Sequence, residues 1–465
     1  MSSWRGPRAV GLGALVVLLL IAGAGGVVLV LQTRNTPAER FIPLSGALLA
    51  LPVAPVVDEQ SGHVFVFGET RDRGIPNTIM LDGPRATILR TTPVETFSLG
   101  PPVLVDARRG HLIVTGNVTI LSTHTGAILH NLRQEVGLAA LDQPSGHLFV
   151  AADAGDSVSM LDASGQPTAA PPVPAAFPRA MLEDQRTRRV FVLNAGDGTV
   201  IMLDARDGTL RRTTTTGIAP SVNVGDSDQL ALDAAAGHVF ASASSSPIIV
   251  MLDASSGAQL HTTLVGGTPT VLAVDQRRRR VVVADGSHNR VVVLDAKSGL
   301  LIATTPVGRR PGAIVVDGVT GRAFVLNDDN TISVIDTRTG ALVRTVTLGM
   351  PHAPRAVPYL AGVSSEIAID VRHGHAFVVD GNNDAVLMLD ARDGSLQRTI
   401  PVGPRPLAIA ADDRRGLAYV VSAASRPALD RWGWLPGWLR NRLPFLPKPP
   451  PLPAYTGSVT VIDSR

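Results

Sequence analysis

The chain contains no cysteine. That absence removes disulfides, thiolate metal sites, cysteine nucleophiles and a lipidated anchor cysteine. It leaves the compartment open, because an exported protein can do without disulfides. Aromatic residues are scarce, at 4%. Charge of either sign is nearly matched, with 42 Lys and Arg against 39 Asp and Glu. The pI of 9.7 therefore reflects a small excess and no basic patch. Basic runs interleaved with aromatics are missing, which argues against nucleic acid as a partner. The one dense basic run, RRRR at 277–280, reads as a solvated turn entering a strand. Glycine-rich phosphate loops, GxSxG, HExxH and CxxCH are absent as contextual motifs.

What is present begins with an apolar run. Residues 9–31 hold 23 residues without a charge. As a helix they would span about 35 Å, enough for a bilayer core of about 30 Å. Arg5 and Arg8 precede the run, which places residues 1–8 in the cytoplasm and the body outside. Ala22-Gly23-Ala24 resembles a signal-peptide cleavage site. VVLVL continues the apolar run beyond it, so an uncleaved single-pass anchor is the expectation. Cleavage would leave a secreted protein. A linker at 32–43 then leads to the body at 44–465.

The body repeats itself. MLDARDG occurs at 202–208 and again at 388–394. Around it, segments such as VMLDASSGAQLHTT (250–263) and VVLDAKSGLLIATT (292–305) share one pattern. An apolar run ends in Asp, a polar turn ends in Gly, and alternation resumes: two strands joined by a tight turn. A second hairpin pattern interleaves, as in VVDGVTGRAFVLN (315–327) and AIDVRHGHAFVVD (368–380). Each pattern occurs nine times, with common spacings of 40 to 42 residues. Four short strands per ~40–45 residues mark a β-propeller blade. A lone blade is apolar on both faces, so only neighbours can cover it. The expectation is an all-β fold: a single propeller of nine four-stranded blades, with eight or seven as the alternatives. The last repeat, GSVTVIDSR, stops after a third strand. SGALLALPVA (45–54) matches the outer-strand segment TGALVRTVTLG (339–349). Residues 44–54 are therefore expected to supply the missing strand and close the ring.

These repeats resemble the YVTN-type β-propeller repeats of surface-layer and related exported bacterial proteins. The resemblance rests on FVLN at 191–194 and 324–327 and on VID at 334–336 and 461–463. It covers about residues 44–465 and implies fold more than function. Propellers of related repeat families include lactone hydrolases and streptogramin-type lyases.

Turns between strands one and two, and between three and four, share one face and are short. Longer insertions belong to the other face: 68–78, 350–365 and 423–457. Ring closure would gather them on one arc, where loops on a rigid scaffold usually bind. The Trp/Pro-rich insertion holds Trp432, Trp434 and Trp438 beside Arg431 and Arg440, and Tyr359 lies in the middle insertion. These six are the candidate binding residues, facing a membrane, a partner or the propeller itself. The expected partners are the membrane, through the N-terminal helix, and a protein or glycan ligand. Repeating residues make poor catalysts. His63, His111, His147, His238 and His375 recur after a turn Gly, and their spread around a ring is wrong for a metal site. No catalytic set is assigned and no cofactor is expected. The alternative is a metal-assisted lactonase-like or lyase-like enzyme at the channel mouth. There Glu366, His288, Asn289 and Asp329 would hold a divalent cation.

Overall fold

The computed structural model describes residues 39–44, 47–48, 54–70, 76–94, 103–132, 136–152, 155–223, 227–349, 366–423 and 457–465. The expected tail 1–8, the apolar run 9–31 and most of the linker lie outside these residues. So do the insertion at 350–365, residues 424–456 and the six candidate binding residues within those two insertions. Among the described residues no helix is long and apolar enough to cross a membrane.

Described residues form strands β1–β37, gathered into nine antiparallel sheets. Each sheet is one blade, so the fold is a nine-bladed propeller. Blade four is representative. β15 (Pro178–Asp184), β16 (Arg189–Asn194), β17 (Thr199–Asp204) and β18 (Leu210–Thr215) pair in sequence order. The two middle strands are buried at almost every position, whereas β18 is largely exposed. Side chains alternate across a strand, so each middle strand feeds two seams. Val190 and Val192 pack towards blade three, and Phe191 and Leu193 towards blade five.

The core is therefore distributed. Nine apolar clusters fill the nine seams, and the one between blades nine and one completes the circle. One register of the second strand anchors most of them. Phe65, Phe149, Phe191, Phe240, Phe324, Phe377 and Tyr419 are all below 2% exposed. Burying such a ring contributes on the order of 1.5–3 kcal/mol.

Closure differs from the sequence expectation in its strand. The sheet of blade nine runs β1-β37-β36-β35, where β1 is Arg40–Leu44 and β37 is Gly457–Asp463. Arg40 pairs with Val461 and Leu44 with Gly457. Of the segment 44–54, Leu44 alone among the described residues belongs to the closing strand, whereas Ala47 and Leu48 pair with Thr70 and Glu69 of blade one. The reason lies in RFIPL. Its alternation sends Ile42 and Leu44 into the seam with blade one, beside Val459 and Val461. Pro43 faces outwards on the sheet edge, where a missing N–H costs nothing. The propeller thus begins at Arg40, inside the segment expected to be linker. β1 runs antiparallel to β37, so it starts at the face of the short turns and climbs towards the other.

Blade nine also carries a local substitution pair. Its ring at the anchor register is Tyr419, where most blades have Phe. The buried hydroxyl has no hydrogen-bond partner among the described residues. It points at Gly83 of blade one. A methyl group there would lie 2.2 Å from the hydroxyl oxygen and 2.8 Å from Cζ. Equivalent positions elsewhere hold Thr123, Ala163, Ala205, Ala254, Ala296, Thr337, Ala391 and Ser464. Gly83 thus makes room for the phenol. Gly83→Ala is expected to cost about 1–3 kcal/mol through overpacking. Tyr419→Phe in the same chain is expected to recover part of that loss, as read from urea unfolding of both single variants and the double. Strict additivity would show that the two groups do not collide.

Candidate functional site

The short-turn face is a hydrogen-bonded belt. First strands end in Asp58, Asp106, Asp142, Asp184, Asp233, Asp275, Asp317, Asp370 and Asp412, each at most 3% exposed. Their carboxylates accept from turn N–H groups and hydroxyls, as Asp58 does from Gln60 N at 3.0 Å and Ser61 Oγ at 2.7 Å. Others reach across a seam: Thr337 Oγ1 donates to Asp275, and Ser464 Oγ to Asp370. Three of the five recurring histidines serve the same belt. His63, His147 and His238 each place Nδ1 within 2.7–3.1 Å of a carbonyl of the next blade, those of Thr123, Ala205 and Ala296. Arg322 fills the same register and donates Nε to Arg392 O at 2.7 Å. A guanidinium and an imidazole interchange there because both can serve a cross-seam carbonyl.

Polar loops of the opposite face are also engaged. Asn289 Oδ1 accepts from Arg310 N at 2.8 Å, and Asp329 Oδ2 from Arg309 N at 2.7 Å. Both thus cap consecutive N–H groups of the link between blades six and seven. His288 turns to Asp285 of its own blade, with Nδ1 to Oδ2 at 3.0 Å. Glu366 lies in blade eight, where its carbonyl accepts from Val379 N at 2.9 Å. Among the described residues, no group of three or more His, Asp or Glu is arranged to hold a metal ion. These four candidate ligands are therefore spread over three blades, with only Asn289 and Asp329 meeting a common segment.

The channel side holds what the sequence reading missed. First strands line it, and the residue just before each terminal Asp is Val57, Val105, Leu141, Glu183, Leu232, Val274, Val316, Ile369 or Ala411. Glu183 is the one ionisable side chain at this register. It lies in the seam between blades three and four, against Asp142. Burial, then the charges of Asp142 and Asp184, push its carboxyl up to about 8, against the pull of Arg188. Asp142 is opposite in character. Burial raises it, but Arg188 and Ser145 outweigh that and hold it below the usual carboxylate range. Arg188 Nε donates to Asp142 Oδ1 at 3.1 Å, and Nη2 to Oδ2. Glu183 therefore stays protonated at neutral pH and donates to the ionised Asp142.

Nearer the other end of the channel, Arg179 of β15, at a bulge, and Asp228 of β19 (Asp228–Asp233) lie in adjacent blades, each five residues before its terminal Asp. They pair with Nε–Oδ2 at 3.7 Å, and the guanidinium lies 5.7 Å from the Phe177 ring centroid. Gln229 bridges to β23 (Pro269–Asp275). Its amide donates to Thr270 O at 3.2 Å and its Oε1 accepts from Leu272 N at 2.8 Å. One side chain thus imitates a strand against an otherwise unpaired inner edge. Arg179, Glu183, Asp228 and Gln229 make a polar arc in an apolar wall. The signal that could have found them is departure from the repeat at a fixed register.

This geometry defines a nine-bladed β-propeller whose repeating polar groups are structural and whose individual features lie on one arc of the channel and in the inserted loops. A family profile described as outer membrane protein assembly factor BamB matches residues 287–408. In structure the chain is similar to the dihydro-heme d1 dehydrogenase NirN, solved in complex with DHE. That likeness has 13% identity, covers 78% of each chain and has a TM-score of 0.51. It is similar to AztD from Citrobacter koseri at 14% identity, over 83% of this chain and 99% of that one, with a TM-score of 0.50. BamB from Moraxella catarrhalis is 15% identical over 67% of this chain and 91% of that one, with a TM-score of 0.45. Such identities speak to the fold alone. No curated protein is matched by the sequence.

Protonation of Glu183 sets a pH dependence. The folded carboxyl sits at about 8 against an ordinary 4.5. Between those values the folded state holds a proton that the unfolded state has lost, so stability falls as pH rises through the window. Because the carboxyl is partly open to water, about 1 kcal/mol is the discounted size of the effect. Glu183→Gln is expected to flatten this slope between pH 5 and 8 in thermal unfolding. An unchanged slope would show that Glu183 is ionised in the fold.

Proposed function

We propose that this protein is a membrane-anchored, extracytoplasmic propeller that acts as a non-enzymatic binding scaffold through its inserted-loop face. The observation that carries this reading is the direction of β1. The chain enters the ring at the short-turn face, so residues 1–38, with their uncharged run, leave from that side. The insertions at 68–78, 350–365 and 423–457 fall between strands whose connections lie on the opposite side, the side that faces away from a bilayer on this reading. Engagement of the recurring aspartates and histidines in the belt supports binding over catalysis. The partial match to a BamB-type assembly-factor profile supports a scaffold role in an exported setting. FVLN and VID still favour YVTN-like repeats within the wider propeller class.

On this reading the ligand is a protein or glycan engaged by Trp432, Trp434, Trp438, Arg431, Arg440 and Tyr359. No cofactor is used. The test replaces the three tryptophans with alanine in the full chain and cross-links intact membranes. Expected is at least a tenfold loss of the cross-linked partner, from hot-spot costs of about 2 kcal/mol or more, with an unchanged melting temperature. Undiminished cross-linking would move the binding face elsewhere. Metal-dependent lactone hydrolysis by the purified chain, abolished by Glu366→Gln, would favour the enzyme instead.

A further inference from the structure

The outer strands share a feature that neither the fold nor the loop face uses. In seven blades the outer strand carries a β-bulge at one register, just after its short turn. An exposed leucine sits at one of the two bulge positions in each: Leu89, Leu129 and Leu260 are the bulged residues, and Leu210, Leu301, Leu342 and Leu396 are the paired residues just before the bulge, all 42–53% exposed. The residue where regular pairing resumes is basic in six of these blades: Arg90, His130, Arg212, His261, Arg344 and Arg398. Single exposed leucines need no explanation. Seven at two adjacent positions of one bulge, in seven of the nine blades and with a basic residue behind six of them, form an amphipathic rim interrupted at blades three and nine.

Three observations choose the occupant. First, the bulges interrupt the ladder where a second sheet would pair, which opposes edge-to-edge contact with another copy. Second, the turns beside the rim expose cations while hiding most of their anions. Arg85, Arg186, Arg206, Arg392 and Arg465 are more than half exposed, and the nine first-strand aspartates are buried beneath them. Exposed Asp207, Asp393 and Glu59 offset only part of this, and Arg344 and Arg398 reach Asp393 and Glu39. Third, the chain enters at this level. Arg40, paired with Val461, stands at the height of Arg212, paired with Met202. Only residues 32–39 separate Arg40 from the uncharged run, a reach of at most about 30 Å when extended.

We propose that this lower rim docks on an anionic lipid bilayer, with the ring lying flat and the leucines at headgroup depth. The inference rests on the anchored reading above. Leucines supply interfacial partitioning and arginines supply attraction to anionic headgroups. The occupant's class is a lipid surface, and tethering makes the contact intramolecular.

The cysteine-free sequence gives a clean test. Leu260→Cys, Leu342→Cys and, as a control on the opposite face, Ser245→Cys are each introduced into the full chain. The chains are reconstituted into phosphatidylcholine vesicles with or without phosphatidylglycerol and labelled from outside with an environment-sensitive fluorophore. Iodide in the buffer and nitroxide-bearing lipid serve as the two quenchers. Expected is several-fold weaker iodide quenching and several-fold stronger lipid quenching at the two rim positions than at Ser245, enhanced by phosphatidylglycerol. Protein that floats with the vesicles while its rim labels are as open to iodide as Ser245 overturns the docking alone. Protein that fails to float with them overturns the anchored reading, and the docking with it.

Discussion

Every blade of this propeller is apolar on both faces, and the burial of those faces against neighbours is the constraint that the remaining structure serves. A free blade would expose two hydrophobic surfaces. A stack with ends would expose one at each end. Only a closed circle covers them all, and the nine clusters in nine seams are that condition met. Apolar packing alone is non-directional. Direction comes from the belt of buried aspartates, cross-seam hydroxyls and ring nitrogens, which fixes each blade against the next. On the outer strands, Thr92, Thr214, Thr263 and Thr305 repeat the device by donating to the turn carbonyls of Gly126, Gly257, Gly299 and Gly340.

This division of labour explains why abundant polar chemistry yields no recurrent catalyst. An aspartate already accepting from turn N–H groups and a hydroxyl has its oxygens occupied. The residues free to acquire roles are those that break the repeat. Glu183 replaces an aliphatic residue beside a channel of Val, Leu, Ile and Ala. Gln229 borrows a strand's hydrogen bonds. Tyr419 adds a hydroxyl where the blades offer a phenyl ring, and Gly83 yields to it. Each exception acts across one seam, so it can change without disturbing the others.

Much of the fold was legible in the sequence because a repeat averages its own noise. Nine aspartates, nine turns and two alternating hairpins left little room for another architecture. Closure was legible in principle and misplaced by one strand. SGALLALPVA shares letters with an outer strand, but RFIPL lies directly ahead and carries the alternation that fits the last seam. His63, His147 and His238 meet carbonyls of the adjacent blade, partners that cannot be seen along one chain. The polar arc was missed for a similar reason. Glu183 matters through Asp142 and Arg188, and Arg179 through Asp228. Those neighbours are set by curvature of the ring, which brings equal registers of different blades together.

The mixed parentage of the ninth blade has a temporal consequence. Its outermost strand precedes the rest of the ring in the chain and its neighbour follows all the other blades, so Arg40 is made long before Val461. Entropy of closure grows only slowly with the length of intervening chain, so the penalty is one of order more than of energy. Blades one to eight can assemble progressively as they emerge, while the seam beside blade one stays uncovered until β37 is made. β37 then fills the place between β1 and β36, and a product truncated before it leaves one seam open to quality control.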